Sequence, residues 1–402
     1  MRLPATLAAA ALTPLALARD LTSTALRLDA QERAADSTGI GGHDGKFFVN
    51  SGDKAFRLNI GGQLQFRYNT TFRDDPGPGP DDDLSVGFHT RRTRLEFTGH
   101  IYEKWNFKVV GGFSRSTGLF ILEDAILSYK FGNDVTVTWG QFKLPILREE
   151  SLSSKYQLAA DRSVANEAFN QDRSQGVQVH WQGEQVRLFA VISDGIRAVN
   201  TAYNAPAEAD IALTARAELR LGQAGWKKYD DFTSFRGDDR GALIGAALHW
   251  QSAGETNPSA AGSTDTLLYT VDAAWEGGGW NLFAAFIGRL VDAPGGSDLS
   301  DFGAVAQGGV FVCDHTELFA RWDAVFPDSD QAAHDDFHTV AVGANHYFIP
   351  ESHTAKLTID VQWFLDDQAS SSSLVSVNEG IGLLADTGDD QVTLRIQMQL
   401  LF

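Results

Sequence analysis

The chain has 402 residues, with 33 basic against 52 acidic side chains and a formal net charge of −19. That balance excludes a nucleic-acid binder, which needs a basic footprint. A single cysteine, Cys313, excludes intrachain disulfides and thiolate metal clusters.

The opening residues, MRLPATLAAAALTPLALARD, carry Arg2, an apolar stretch from Leu3 to Leu15 and the small-residue site Ala16-Leu17-Ala18. This is the pattern of a secretory signal peptide over residues 1–18, cut before Arg19. No later run of 18 apolar residues follows, so no transmembrane helix is expected. An exported chain of this kind is periplasmic, secreted or built into a membrane as a barrel. Residues 19–55 read as a polar lead ending in a small hairpin, KFFVNSGDKAF, and the main domain as 56–402.

From Phe56 onward, apolar and polar residues alternate with the period of two expected of a strand with unlike faces. In FRLNIGGQLQFRYNTTF, Phe56, Leu58, Ile60, Leu64, Phe66, Tyr68 and Phe72 share one face, and Arg57, Asn59, Gln63, Gln65, Arg67 and Asn69 the other. The pattern recurs at Arg92–Ile101, Trp105–Phe113, Ala125–Phe131, Val135–Phe142, Val177–Trp181, Val186–Ser193, Ile211–Leu221 and Leu243–Trp250. It continues at Leu267–Trp275, Trp280–Val291, Phe302–Val312, Leu318–Phe326, His338–Phe348, Lys356–Leu365 and the final QVTLRIQMQLLF, sixteen strands in all.

Connections between these strands alternate between short (YEK, GND, QGEQ, GGG) and long (RDDPGPGPDDDLS, SAGETNPSAAGST, PDSDQAAHDD). Outer-membrane barrels show this rhythm, with short periplasmic turns and long outer loops. Two connections break it: SRSTG is short for an outer loop, and GQAGWKKYDDFTSFRGDDRG is long for a periplasmic turn. A soluble sandwich would also alternate, but its wet face would be rich in Lys and Glu. Here that face carries Gln, Asn, Thr, Gly and Arg, and aromatics such as Trp105, Tyr129, Trp181, Trp275 and Trp280 gather near strand ends, as in membrane girdles. The expected fold is an all-β, transmembrane, antiparallel barrel of about sixteen strands. Its last strand pairs with its first to leave no edge in lipid.

Several long motifs, RRTRLEFTGHIYEKWNFKV, LEDAILSYKF, GQFKLPILREESLSSKYQLAADRSVANEAFNQDRSQGVQVHW and DFTSFRGDD, resemble the phosphate-selective porin O and P family of Gram-negative outer membranes. The resemblance covers about residues 43 to 402. It implies a homotrimeric porin in the outer membrane, passing small hydrophilic solutes and anions by passive diffusion. It also implies that the terminal phenylalanine is read by the barrel insertion machinery. In the family's phosphate-specific members, wall arginines and a lysine cluster near the constriction carry the affinity. The fifth long loop here, SAGETNPSAAGST, has no lysine, which puts high phosphate affinity in doubt.

Polar-phase positions of the strands hold fourteen basic and seven acidic residues, so the lumen is net positive although the chain is acidic. Arg67, Arg92, Arg94, Lys108, Arg216, Arg220 and Arg395 are the candidate anion-attracting wall residues. A charged groove with low-dielectric walls focuses field and enriches counter-ions. Strand parity sets Arg67 beside Arg92 or Arg94, and Glu96 opposite Lys108. The segment 143–175 is far longer than a hairpin needs and is the candidate constriction loop, with Lys143, Arg148, Glu149, Glu150, Lys155 and Arg162. Within it, EESLSSKYQLAAD is expected to form a short helix burying Leu152 and Tyr156. Folded inward it narrows the lumen; folded outward it meets a neighbouring subunit. No EF-hand spacing, nucleophile motif or cofactor signature is present, so neither an enzyme nor a cofactor is expected. The alternative to a pore is a non-conducting barrel that acts as an adhesin or structural protein through its long loops.

Overall fold

The structure, a computed structural model, describes residues 40–43, 45–74, 83–203, 205, 208–254, 262–331, 333–368, 374–386, 388 and 390–402. The signal peptide, the lead up to Gly39 and residues 75–82 of the first long loop lie outside the described residues.

Two short strands, β1 (Ile40–His43) and β2 (Phe47–Asn50), come first. The barrel follows as β3 (Phe56–Phe72), β4 (Leu84–Ile101), β5 (Trp105–Phe113), β6 (Phe120–Phe131), β7 (Val135–Lys143), β8 (Arg173–Gln182), β9 (Val186–Ser193) and β10 (Ile211–Gly222). It continues with β11 (Gly241–Ala253), β12 (Thr264–Glu276), β13 (Trp280–Asp292), β14 (Leu299–Cys313), β15 (Thr316–Phe326), β16 (Phe337–Tyr347), β17 (Ala355–Phe364) and β18 (Gln391–Leu401). All neighbours pair antiparallel, and β18 returns to β3, closing a sixteen-stranded barrel. Closure satisfies every strand edge internally, the condition for crossing lipid with sheet. The short turns and both described ends of the chain share one rim, the periplasmic one by the usual barrel orientation, together with the long connection 223–240; the other long loops share the outer rim with the short connection 114–119. The second strand is longer than the alternation first suggests, because Leu84, Val86 and Phe88 carry the outward apolar phase up to the outer rim.

β18 pairs with β3 from Val392↔Phe72 down to Leu401↔Gln63. Below that point β2 covers the same edge of β3, from Phe47↔Ile60 to Asn50↔Arg57. At the junction the Gly62 amide donates to the Phe402 carbonyl at 2.7 Å, and the Phe402 amide donates back at 3.2 Å. The Phe402 ring lies over Gly62, where a Cβ would sit 2.2 Å from its Cζ, so a larger residue there would push the ring aside.

Outward positions such as Leu64, Phe66, Phe88, Leu188 and Val271 are exposed to the surroundings, while Gln63, Gln65, Arg67 and Thr71 are buried inside. Tryptophan and tyrosine gather at the periplasmic rim, with Trp105 against Tyr129 at 4.7 Å and Trp275 against Trp280 at 4.9 Å.

Candidate functional site: the lumen and its constriction

Residues 144–172, between β7 and β8, fold into the barrel. Their apolar side chains Leu144, Ile146, Leu147, Leu158, Val164 and Phe169 pack on the inward faces of Leu243, Leu268, Phe283, Phe319, Phe337 and Phe364. The packing is close enough that Gly303 lies under the Phe169 ring, with a notional Cβ 2.7 Å away. Burying one such side chain stabilises by about 1.5–3 kcal/mol, so the loop is docked rather than suspended.

Its local structure departs from the single helix expected over EESLSSKYQLAAD. There is one helical turn at Arg148–Ser151, then extended backbone at Leu152 and Ser153, then a 3₁₀ turn at Ser154–Tyr156. Carboxylates inside the barrel compete for this backbone: Asp360 accepts the Ala160 amide at 2.8 Å, and Asp323 accepts the Val164 amide at 2.8 Å. A second short helix, Val164–Phe169, starts at Ser163, whose hydroxyl accepts the Asn166 amide at 2.9 Å. Leu152 is buried as expected, and Tyr156 is half-buried against His353.

Wall arginines anchor this loop. Asp161 accepts ion pairs from Arg67, Arg91 and Arg92 at 2.6, 2.7 and 2.7 Å. Arg67 also donates to the Ala160 carbonyl at 2.6 Å. Arg216 pairs with Glu218 and Asp272, both at 2.8 Å, and donates to the Ile146 carbonyl at 2.9 Å. Arg395 pairs with Asp360 at 2.6 Å. Arg67, Arg216 and Arg395 are therefore buried, neutralised struts. The parity-based neighbours also need correcting. Arg67 sits across from His89, Arg92 from Gln65 and Arg94 from Gln63. Lys108 pairs with Asp124 at 2.7 Å, not with Glu96, which is held by Lys46 of the N-terminal hairpin and by Lys155 at 3.6 Å. Arg220 lies at the periplasmic end, donating to the Glu184 carbonyl at 2.7 Å and facing the Trp226 ring.

The shift in register has a visible cause. A β-bulge between Gln65 and Phe66 of β3 leaves Arg91 as the extra residue of β4, and Arg91 and Arg92 both turn inward to Asp161. A second bulge, between Val110 and Gly111 of β5, makes Glu123 the extra residue of β6, and Glu123 joins Asp124 inside. Bulges of this kind re-aim side chains. Strict alternation missed both residues.

Within the constriction loop, Lys143 reaches Glu150 at 2.6 Å, and Arg162 reaches Glu150 at 3.2 Å while bonding the Glu149 and Leu152 carbonyls at 3.0 and 2.8 Å. Glu149 accepts the Ser163 amide and hydroxyl at 2.8 and 2.6 Å. Arg148 donates to the Tyr229 carbonyl at 2.7 Å and stacks over the Tyr229 and Phe232 rings.

That last contact involves the long periplasmic connection 223–240, which folds up into the barrel mouth. Tyr229, Phe232 and Phe235 are buried. Phe232 packs on Phe283 at 4.8 Å and its amide donates to the Tyr156 carbonyl at 3.3 Å, so this plug touches the constriction loop from below. Lys228 bridges Asp238 and Glu276 at 3.1 and 3.4 Å. Burial holds the His353 ring beneath the plug below its ordinary pKa, although Asp231 opposes the shift.

Two large vestibules lie along the β3–β8 wall. The periplasmic one, about 1020 Å³, is lined by Lys46, Glu96, Lys108, Asp124, Lys155, Lys228 and Phe402 among others. The outer one, about 980 Å³, is lined by His89, Arg91, Arg92, Arg115, Arg162 and Glu379 among others. They share Arg94, Glu123, Lys143 and Arg173, which form the eyelet. There Arg94 donates to Glu123 at 2.7 Å and to Ser154 at 2.8 Å, and Arg173 pairs with Glu123 at 2.8 Å and Asp124 at 2.6 Å.

A barrel of this build, with an inward loop and a charged eyelet, is what porins have. The family model described as phosphate-selective porin O and P matches residues 59–362. The chain belongs to that family. This outer-membrane porin is 22% identical to Porin O of Pseudomonas aeruginosa, over 85% of this chain and 87% of the relative. Among solved structures, an anion-selective porin from Comamonas acidovorans is similar with a TM-score of 0.59 at 14% identity, covering 86% of this chain and 100% of that one. A trimer form of OmpT, an outer membrane protein of Vibrio cholerae, is similar with a TM-score of 0.54 at 13% identity, covering 87% and 100%. Family and fold are those of channels rather than enzymes.

Proposed function

We propose that this porin passes small hydrophilic solutes by passive diffusion, with a modest preference for anions, along the β3–β8 side of the barrel. The observation that carries the reading is the pair of vestibules meeting at Arg94, Glu123, Lys143 and Arg173. Three of those four are cationic against the one carboxylate of Glu123, and just below them Lys108, with a side chain 40% exposed, pairs with Asp124. Such a constriction favours anions by electrostatics without a binding cage. Phosphate selectivity in the strict sense is not part of the proposal, because most of the wall arginines are already paired with carboxylates. Open vestibules on both sides of the same four residues favour a pore over a purely adhesive barrel. The anion-selective neighbour supports the sign of the preference, and the trimeric neighbour supports a homotrimer. The outward apolar belt supports a lipid partner. Single-channel recording of the purified protein in a planar bilayer tests the reading. Steady conductance with a reversal potential on the anion side is expected. Absence of channels, or cation preference, contradicts it.

A further inference from the structure

We infer that Glu123 is a tethered occupant of an oxyanion site at the eyelet, and that its carboxylate keeps the pore weakly binding. The inference deepens the proposed pore reading and rests on it. The carboxylate bridges two guanidiniums, Oε1 to Arg94 Nε at 2.7 Å and Oε2 to Arg173 Nη2 at 2.8 Å. A phosphate or a carboxylate solute would accept the same two donors, since arginine recognises both through paired N–H bonds.

Both arginines are held in place without Glu123. Arg173 is fixed by Asp124 at 2.6 Å and Asp172 at 3.2 Å, and Arg94 by the Ser154 hydroxyl at 2.8 Å. The site is thus pre-formed, and it lies where the outer and periplasmic vestibules meet. Glu123 reaches it only because the bulge adds one residue to β6; regular alternation cannot turn both Glu123 and Asp124 inward. A tethered group competes as a high local concentration of ligand. A solute must displace Glu123 to bind, so its residence is short. Conduction requires such weak binding, because a solute that is held tightly blocks the path.

The experiment compares wild type, Glu123→Gln and Glu123→Asp in planar bilayers in KCl, with inorganic phosphate added as a blocker. Neutralising Glu123 leaves Arg94 and Arg173 with open donors. Glu123→Gln should show a reversal potential shifted toward anions and half-block of the chloride current at about tenfold lower phosphate. Glu123→Asp keeps the charge but is too short to span both guanidiniums, so intermediate block is expected. Adding Arg94→Gln to Glu123→Gln should abolish the gain. If Glu123→Gln conducts with wild-type selectivity and wild-type phosphate sensitivity, the inference is wrong although the pore reading stands. If Glu123→Gln does not insert, Glu123→Asp decides alone, and phosphate sensitivity equal to wild type overturns the inference. A wild type without channel activity removes both.

Discussion

Along β11 to β17 the inward positions hold Leu243, Leu268, Phe283, Phe319, Phe337 and Phe364, whereas along β3 to β8 they hold Gln63, Arg94, Lys108, Asp124, Thr138 and Arg173. The first half is packed, with the loop 144–172 and the plug 223–240 pressed against it and the carboxylates of Asp323 and Asp360 buried on the loop backbone. The second half is wet and charged, and the vestibules follow it. The difference shows how a barrel too wide to fill with its own side chains builds a narrow, off-centre path. One wall interleaves apolar side chains with carboxylates such as Asp323 and Asp360 on its inner face, so that an inserted loop can both pack and hydrogen-bond there. The other wall stays polar on its inner face only. Charges divide by role rather than by wall: Arg67, Arg216 and Arg395 fasten the loop, and Arg94, Lys143 and Arg173 face the passage.

The sharpest way to break this division is at Asp161, where three arginines converge on one buried carboxylate. Removing one partner of a buried ion network costs about 3–5 kcal/mol, because the remaining charges stay buried and unpaired. Asp161→Ala should loosen the docked loop, giving larger and noisier single-channel conductance and a lower thermal transition in detergent. Quiet, wild-type channels would mean that the arginines do not hold the loop.

A smaller effect is expected on the greasy side. Gly303→Val places a side chain where the Phe169 ring now sits, and overpacking of this kind costs about 1–3 kcal/mol. The thermal transition should fall while ion selectivity stays unchanged, since no charge on the passage moves. A selectivity change would mean that the packed half also conducts.

These assignments were unequally legible in the sequence. Alternation located all sixteen barrel strands, with β3, β5 and β9 matched from end to end, because one side of every strand meets lipid. It failed where parity slips. Arg91-Arg92 and Glu123-Asp124 are adjacent charges inside strands, and regular pleating would send one of each pair into lipid. A basic residue at the bilayer midplane costs about 2–4 kcal/mol, so a charged doublet within a barrel strand is itself the signature of a bulge. The docking wall also left a trace: LFAAFIG in β13 is apolar in both phases, as expected of a strand covered on both faces. Asp161 left none. Its role depends on where a long loop lands, and local pattern carries no information about that.

The smallest structural effect, and the one that separates strut from passage, is expected at Arg94. Its side chain is partly exposed, so Arg94→Gln should cost no more than about 0.2–1 kcal/mol in stability. It should nevertheless move the reversal potential toward cations, more so at low salt, where screening is weak. Arg67→Gln, at a fully buried anchor, should do the reverse: lower stability with little direct change in selectivity. Equal shifts from the two variants would erase the distinction between them.

The off-centre path itself is open to a direct measurement. In a Cys313→Ser background, Ser128→Cys places a thiol on the periplasmic vestibule, and Thr270→Cys places one on the inward face of β12 under the packed half. A charged, water-soluble thiol reagent should reduce the single-channel current of Ser128→Cys rapidly and leave Thr270→Cys unaffected. Rapid modification of Thr270→Cys with Ser128→Cys protected would place the passage on the opposite wall and contradict the account.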